Sequence, residues 1–190
     1  MKRKHRYTNL DQIENTKTLN DIRRWQKERK KNKKDLSVLI EQAPVKEMDK
    51  LNSNRTNPSI TWIGHSTFLI QLNGLNMITD PVWASRMGFQ KRLAEPGIAL
   101  TDLPEIDVVF ISHGHYDHLD FPTIKRLKGN PTYHVPIGLG HAFKKRGYQN
   151  VIESNWYDSF EHNQLTFSFV PAQHWTKRTL SDTNTSHWGG

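Results

Sequence analysis

The chain of 190 residues contains no cysteine. That excludes a disulfide scaffold, a thiolate metal site and a cysteine nucleophile, and it fits a reducing, cytoplasmic setting. No apolar run reaches the roughly eighteen residues that a membrane-spanning helix needs. No apolar stretch follows the basic Met1-Lys2-Arg3-Lys4-His5-Arg6, so no secretory signal is expected. Acidic residues are scarce at one end only. Residues 1–50 carry 15 Lys/Arg against 8 Asp/Glu, and residues 51–190 carry 12 against 11. The net charge of +8 therefore belongs to the N-terminal segment, and it does not mark the main domain as a nucleic-acid binder.

What is present divides into two textures. Residues 1–57 read as a basic, partly helical leader and linker. Thr18 to Gln42 has helical spacing, with Leu19, Ile22, Trp25, Leu36, Leu39 and Ile40 as its apolar positions. The lysine-rich run between them reads as a solvated helix face whose apolar residues dock on the domain. The alternative is a patch, residues 23–34, that contacts an anionic membrane surface or nucleic acid, although stacking aromatics are missing apart from Trp25. Residues 58–190 read as one α/β (α+β layered) domain. Strands are expected over Ile60–Ile63, Phe68–Leu72 and Leu75–Thr79, the last two joined by the hairpin signal Asn73-Gly74. Asp107–Ser112 is a strand apolar enough to be buried on both faces. A helix capped by Asp120 should run to about Leu127, and another should span Leu139–Lys145. Further strands are expected at Tyr133–Val135, Val151–Ile152 and Leu165–Val170.

The chemistry concentrates in Ser112-His113-Gly114-His115-Tyr116-Asp117-His118. Three imidazoles and one carboxylate lie within six residues, directly after the buried strand. They form a ligand set suited to zinc, manganese or iron. His113 and His115, two apart in extended chain, point to the same side and can grip one ion. Asp117 and His118 can reach a second ion nearby. His174 follows another strand and a Pro-Ala turn, and the residues alone leave open whether it is a ligand. His65 after Gly64 and Asp80 before Pro81 read as candidates to support the ligands from behind or to meet the substrate, beside a hydrogen-bonding role for His65 and a turn-forming one for Asp80. Lys177 and Arg178 read either as substrate-phosphate contacts or as exposed loop cations. His134, His141 and His162 have no ligand-like company. The tryptophans, Trp62, Trp156, Trp175 and Trp188, read as core or pocket wall.

His113-Gly114-His115-Tyr116-Asp117-His118 resembles the HxHxDH motif of the metallo-β-lactamase superfamily. Trp62-Ile63-Gly64-His65-Ser66-Thr67, Thr79-Asp80-Pro81, Leu103–Asp107, Val135–Leu139 and Pro171–Leu180 resemble its branch of N-acylphosphatidylethanolamine-hydrolysing phospholipase D and bacterial relatives. The resemblance implies a four-layer αββα sandwich, of which residues 58–190 match the N-terminal half. It implies His113, His115 and His174 on a first metal, with Asp117 and His118 contributing to a second. Asp117 is also implied as the catalytic residue that orients the attacking hydroxide. Zinc is the expected cofactor, with manganese or iron possible, and a phosphodiester or lipid-like small molecule the expected substrate. The bridging aspartate and last histidine of the family have no counterpart motif here. The expectation is therefore a truncated chain with an incomplete second site, completed by a second-half chain or a homodimer. The alternatives are an inactive remnant, a module for nucleic acid or an anionic surface, or one half of a split hydrolase. The expected location is cytoplasmic, peripheral to the membrane.

Overall fold

The hairpin signal organises the sheet. Asn73 and Gly74 both adopt positive φ, 52° and 82°, the pair that a tight two-residue turn requires. They join β2 (Thr67–Leu72) to β3 (Leu75–Thr79) in antiparallel register. β1 (Ser59–Gly64) pairs with β2 on its other edge. From β3 onward the pairing is parallel, through β6 (Val108–Phe110), β7 (Thr132–Pro136) and β8 (Val151–Ser154). The result is a six-stranded mixed sheet in the order β1-β2-β3-β6-β7-β8. A short ribbon, β4 (Arg86–Met87) with β5 (Gln90–Lys91), and the hairpin β9 (Ser159–His162) with β10 (Leu165–Ser168) stand apart from it. The computed structural model describes residues 5–14, 17–37, 40–87 and 90–190.

Side-chain alternation sends each central strand into two cores. Leu69, Ile78, Val109, Ile111 and Val135 face α3 (Phe121–Ile124) and α4 (Gly140–Lys144), meeting Leu119, Ile124 and Phe143. Met77, Val108, Ile70 and Phe110 face the opposite way, onto Leu165 and Phe167 of the β9–β10 hairpin. Helices thus cover one face of the sheet and strands begin to cover the other, as the layered α/β reading expects. Asp120 caps α3 by accepting from the Thr123 amide at 3.1 Å, but the helix is one turn and stops well short of Leu127.

The leader differs from its expected form. α1 spans Leu19–Lys31, opened by a reciprocal cap between Thr18 and Asp21, and it ends at Asn32 instead of reaching Gln42. Asp35 takes the amide and hydroxyl of Ser37 into a local turn, an alternative that competes with helix. Leu39 and Met1–Lys4 lie outside the described residues. The apolar positions of α1 do not dock: Leu19, Ile22 and Trp25 are 74%, 41% and 51% exposed. α2 (Met48–Ser53), a helix that the sequence patterning does not mark, places Leu51 in the core facing the helices. Among the described residues, no helix is long and apolar enough to cross a membrane.

Candidate metal centre

The segment after β6 leaves the sheet with alternating side chains. His113 and His115 therefore converge, and a second loop brings His174 onto them. His113 Nε2 lies 2.9 Å from His115 Nδ1 and 3.0 Å from His174 Nε2, while His174 Nε2 and His115 Nδ1 are 3.3 Å apart. Three ligands at about 2.0–2.1 Å from a tetrahedral zinc would sit roughly 3.3 Å from one another. The triangle has nearly that size. Burial, followed by the nearby imidazoles, lowers the pKa of His113 to about 2. Burial and then His174 lower that of His115 to about 4. His174 is lowered too, chiefly by burial. All three rings are thus held neutral, with lone pairs available, which is the form a metal takes.

A second cluster lies beside the first. Asp117 Oδ2 is 3.3 Å from His65 Nε2 and 3.7 Å from His118 Nε2. These three ligand-type atoms all fall within 4.8 Å of one another. His65 sits at the β1–β2 turn with a left-handed φ of 51°, a conformation in which a non-glycine residue is strained. The Trp62 indole, half exposed, holds that turn by donating to the His65 carbonyl at 2.9 Å.

Asp80 connects the two clusters. It is buried, and its Oδ1 accepts from the Ser112 amide at 2.7 Å. Its Oδ2 accepts from the Ser112 hydroxyl at 2.6 Å and from His118 Nδ1 at 2.7 Å. With its hydroxyl proton committed to Asp80, Ser112 receives the Nδ1–H of His113 at 2.9 Å. One carboxylate therefore sets the tautomer of a ring in each cluster and turns both Nε2 atoms toward the site. Burial works against a charged His118, but the hydrogen bond to Asp80, with the charges of Asp80 and Asp117, outweighs it and raises the pKa.

Of the roles that the sequence offers for Asp80, the structure places it behind the ligand rings; Ser112, which links it to His113, carries no signal in the sequence. Arg178 is half-buried and engaged, not a free loop cation. Its guanidinium donates to the carbonyls of Gly114 at 2.8 Å and Leu119 at 2.9 Å and lies 4.2 Å over the Tyr116 ring, clamping the ligand loop. Gly114 is small for a reason: a Cβ there would meet Thr176 Oγ1 at 2.9 Å and Leu139 Cδ2 at 3.3 Å. Trp175 packs edge-on against His115, and Trp188 is fully buried. His134 stays out of the centre, stacked on Phe160.

The chain belongs to the beta-lactamase superfamily, whose domain model matches residues 75–190. It is 41% identical over 147 residues to N-acyl-phosphatidylethanolamine-hydrolyzing phospholipase D 1 of Caenorhabditis elegans, covering 68% of this chain and 41% of the relative. The mitochondrial N-acyl-phosphatidylethanolamine-hydrolyzing phospholipase D of Saccharomyces cerevisiae is 33% identical over 138 residues, 67% of this chain and 30% of that one. A UPF0173 metal-dependent hydrolase of Methanopyrus kandleri is 32% identical over 116 residues, 60% and 46% of the two chains. The chain thus spans less than half the length of these relatives. Among solved structures, the diiron β-hydroxylase CmlA of Streptomyces venezuelae shares the fold, with a TM-score of 0.50 at 23% identity over 60% of this chain and 24% of that one.

Proposed function

We propose that the chain carries the metal-binding face of a phospholipase D-like phosphodiester hydrolase. In this reading His113, His115 and His174 hold one divalent ion, zinc ahead of manganese or iron, and Asp117 and His118 contribute to a second position. The observation that carries it is the triangle of three imidazole nitrogens, no side longer than 3.3 Å. A bound ion of this kind brings the pKa of water toward about 7 and offsets charge building on a phosphoryl group. The residues of the chain do the rest. Asp117, partly exposed at the rim, orients the attacking water and accepts its proton. His65, 3.3 Å away, steadies that carboxylate. The phosphodiester substrate class is supported by the names of the worm and yeast relatives.

The uncovered Leu19, Ile22 and Trp25 stripe, beside Arg23, Arg24, Lys27, Lys30 and Lys31, favours contact between α1 and an anionic membrane surface over nucleic acid. Each basic residue close to such a surface contributes about 1 kcal/mol.

The test is zinc titration followed by hydrolysis of bis(4-nitrophenyl) phosphate and of vesicles containing N-acylphosphatidylethanolamine. We expect zinc-dependent cleavage that falls by about 100-fold or more in Asp117→Ala, the scale of a lost acid–base group. Zinc bound without cleavage of either substrate overturns the phosphodiesterase reading. Absence of zinc binding overturns the centre itself. Cosedimentation with phosphatidylglycerol vesicles, weakened by salt and by Ile22→Asp, tests the helix; equal binding to neutral vesicles refutes it.

A further inference from the structure

The ligand rings are not secured alike. His113 and His118 each have Nδ1 fixed, by Ser112 and by Asp80. Among the described residues, no hydrogen bond reaches Nδ1 of His174, whose loop contacts are made elsewhere. The backbone N–H of His174 donates at 2.9 Å to Oδ1 of Asn9, 165 residues away in sequence. Asn9 is 3% exposed although it lies in the polar leader. The same Oδ1 accepts from the indole of buried Trp188 at 3.2 Å, and Nδ2 donates to the Ile13 carbonyl at 2.8 Å. The flanking leader residues follow the same loop. The Tyr7 amide donates to the Asn184 carbonyl at 2.8 Å, the Tyr7 ring stacks on His187 at 4.4 Å, and Gln173 donates to Asp11 at 3.2 Å.

A buried amide side chain makes its hydrogen bonds where the geometry is fixed, because a buried polar group left without a partner is destabilising. Here they fix the main chain of one ligand residue and the tryptophan beneath it. We propose that residues 7–13 form a strap and that Asn9 is a positioning residue for His174. It acts through the backbone to hold the third imidazole at the apex of the triangle. This rests on the metal-centre reading and adds to it a requirement for the leader, which lies outside the segment matched by the superfamily domain.

The experiment is zinc titration by chelator competition on the 190-residue chain, together with the visible spectrum of the cobalt-loaded protein. Asn9→Leu should weaken zinc binding by about 10–100-fold, the usual effect of removing a group that orients a ligand, and should shift the cobalt bands. Asn9→Asp keeps both acceptor contacts and should restore most of the affinity. In a His174→Ala background, Asn9→Leu should cost nothing further. Wild-type zinc affinity in Asn9→Leu overturns the proposal. So does an equal loss in the His174→Ala background, since that would mark general destabilisation. If Asn9→Leu does not fold, Asn9→Gly carries the same comparison. Unchanged zinc binding in His113→Ala would instead refute the metal centre, leaving the two failures distinguishable.

Discussion

Replacing Asp80 with Asn should disable one cluster and spare the other. The half-buried Ser112 amide needs an acceptor 2.7 Å away, so the new side chain keeps its oxygen there and turns its NH2 toward Ser112 Oγ and His118 Nδ1. The opposite orientation would set NH2 against the Ser112 N–H and cost about 1–3 kcal/mol. His118 Nδ1 must then accept, which moves its proton to Nε2, the atom 3.7 Å from Asp117. A protonated Nε2 has no lone pair for a metal. The Ser112 hydroxyl has two acceptor sites, so it can receive the new NH2 and still receive His113 Nδ1–H, while its own proton turns to His118 Nδ1, 3.4 Å away. The first triangle therefore keeps its tautomers. Loss of bonds to a charged acceptor should lower stability by about 1.5–3 kcal/mol. Affinity at the Asp117–His118 position should fall about 10–100-fold. Nitrogen-detected NMR of the imidazoles reads the tautomer, and zinc titration reads the two positions. A His118 that remains protonated on Nδ1, or an equal loss at both positions, would refute the reasoning.

Three further outcomes follow from the same geometry. Burial lowers the pKa of His134 to about 4, and among the described residues neither ring nitrogen has a hydrogen-bond partner, so the native state holds this ring neutral. The unfolded chain takes up its proton near pH 6.5, so the stability tied to this ring is present above pH 6.5 and lost as pH falls toward 4. The loss between pH 7 and 5 is about 1–2 kcal/mol; His134→Phe should flatten that part of the profile in urea denaturation, and an unchanged slope refutes the assignment. Gly114→Ala should cost about 1–3 kcal/mol and weaken zinc binding, because its methyl group would collide with the buried Thr176; a wild-type Tm would show that the loop has room. Arg178→Met leaves the Gly114 and Leu119 carbonyls without their charged donor and should lower stability by about 1.5–3 kcal/mol in the same assay, whereas a loss of activity with stability intact would make Arg178 a substrate contact after all.

The residues that meet in space were readable in the sequence where they are neighbours in the chain. His113, His115, Asp117 and His118 share one loop after an apolar strand, and the Asn73-Gly74 turn announced its hairpin. Support from a distance was not readable. Asp80 stands 38 residues from His118 and Asn9 stands 165 from His174, and neither residue type differs on paper from an ordinary loop polar group. Helical periodicity misled at Leu36 and Ile40, since spacing alone cannot show that Asn32 and the Asp35–Ser37 turn interrupt the helix. The β9–β10 hairpin was half seen: Leu165 onward reads as strand, but Ser159-Phe160-Glu161-His162 is too short and polar to announce itself.

The position of Asp80 is nevertheless a consequence of topology. β3 and β6 are parallel and in register, Thr79 opposite Phe110, and the Asp80 amide continues the ladder by donating to the Phe110 carbonyl at 2.8 Å. Whatever follows Thr79 must therefore lie beside whatever follows Phe110, at the carboxyl ends where parallel sheets gather their ligands. The residue after Thr79 is a carboxylate and the segment after Phe110 carries the histidines, so orienting group and oriented rings arrive together without a long-range search. β7, the next parallel strand, ends at Pro136 and passes into Ile137-Gly138, and the Ile137 carbonyl accepts the His187 amide at 2.9 Å while the Ser112 carbonyl accepts that of Gly189 at 3.1 Å. The loop from Pro171 to Gly190 is thereby laid across the ends of β6 and β7. His174 is delivered to the triangle by that loop, and by the sheet only indirectly. Its placement depends on tertiary contacts that neighbouring strands do not supply, and the proposed strap from the far end of the chain meets it there.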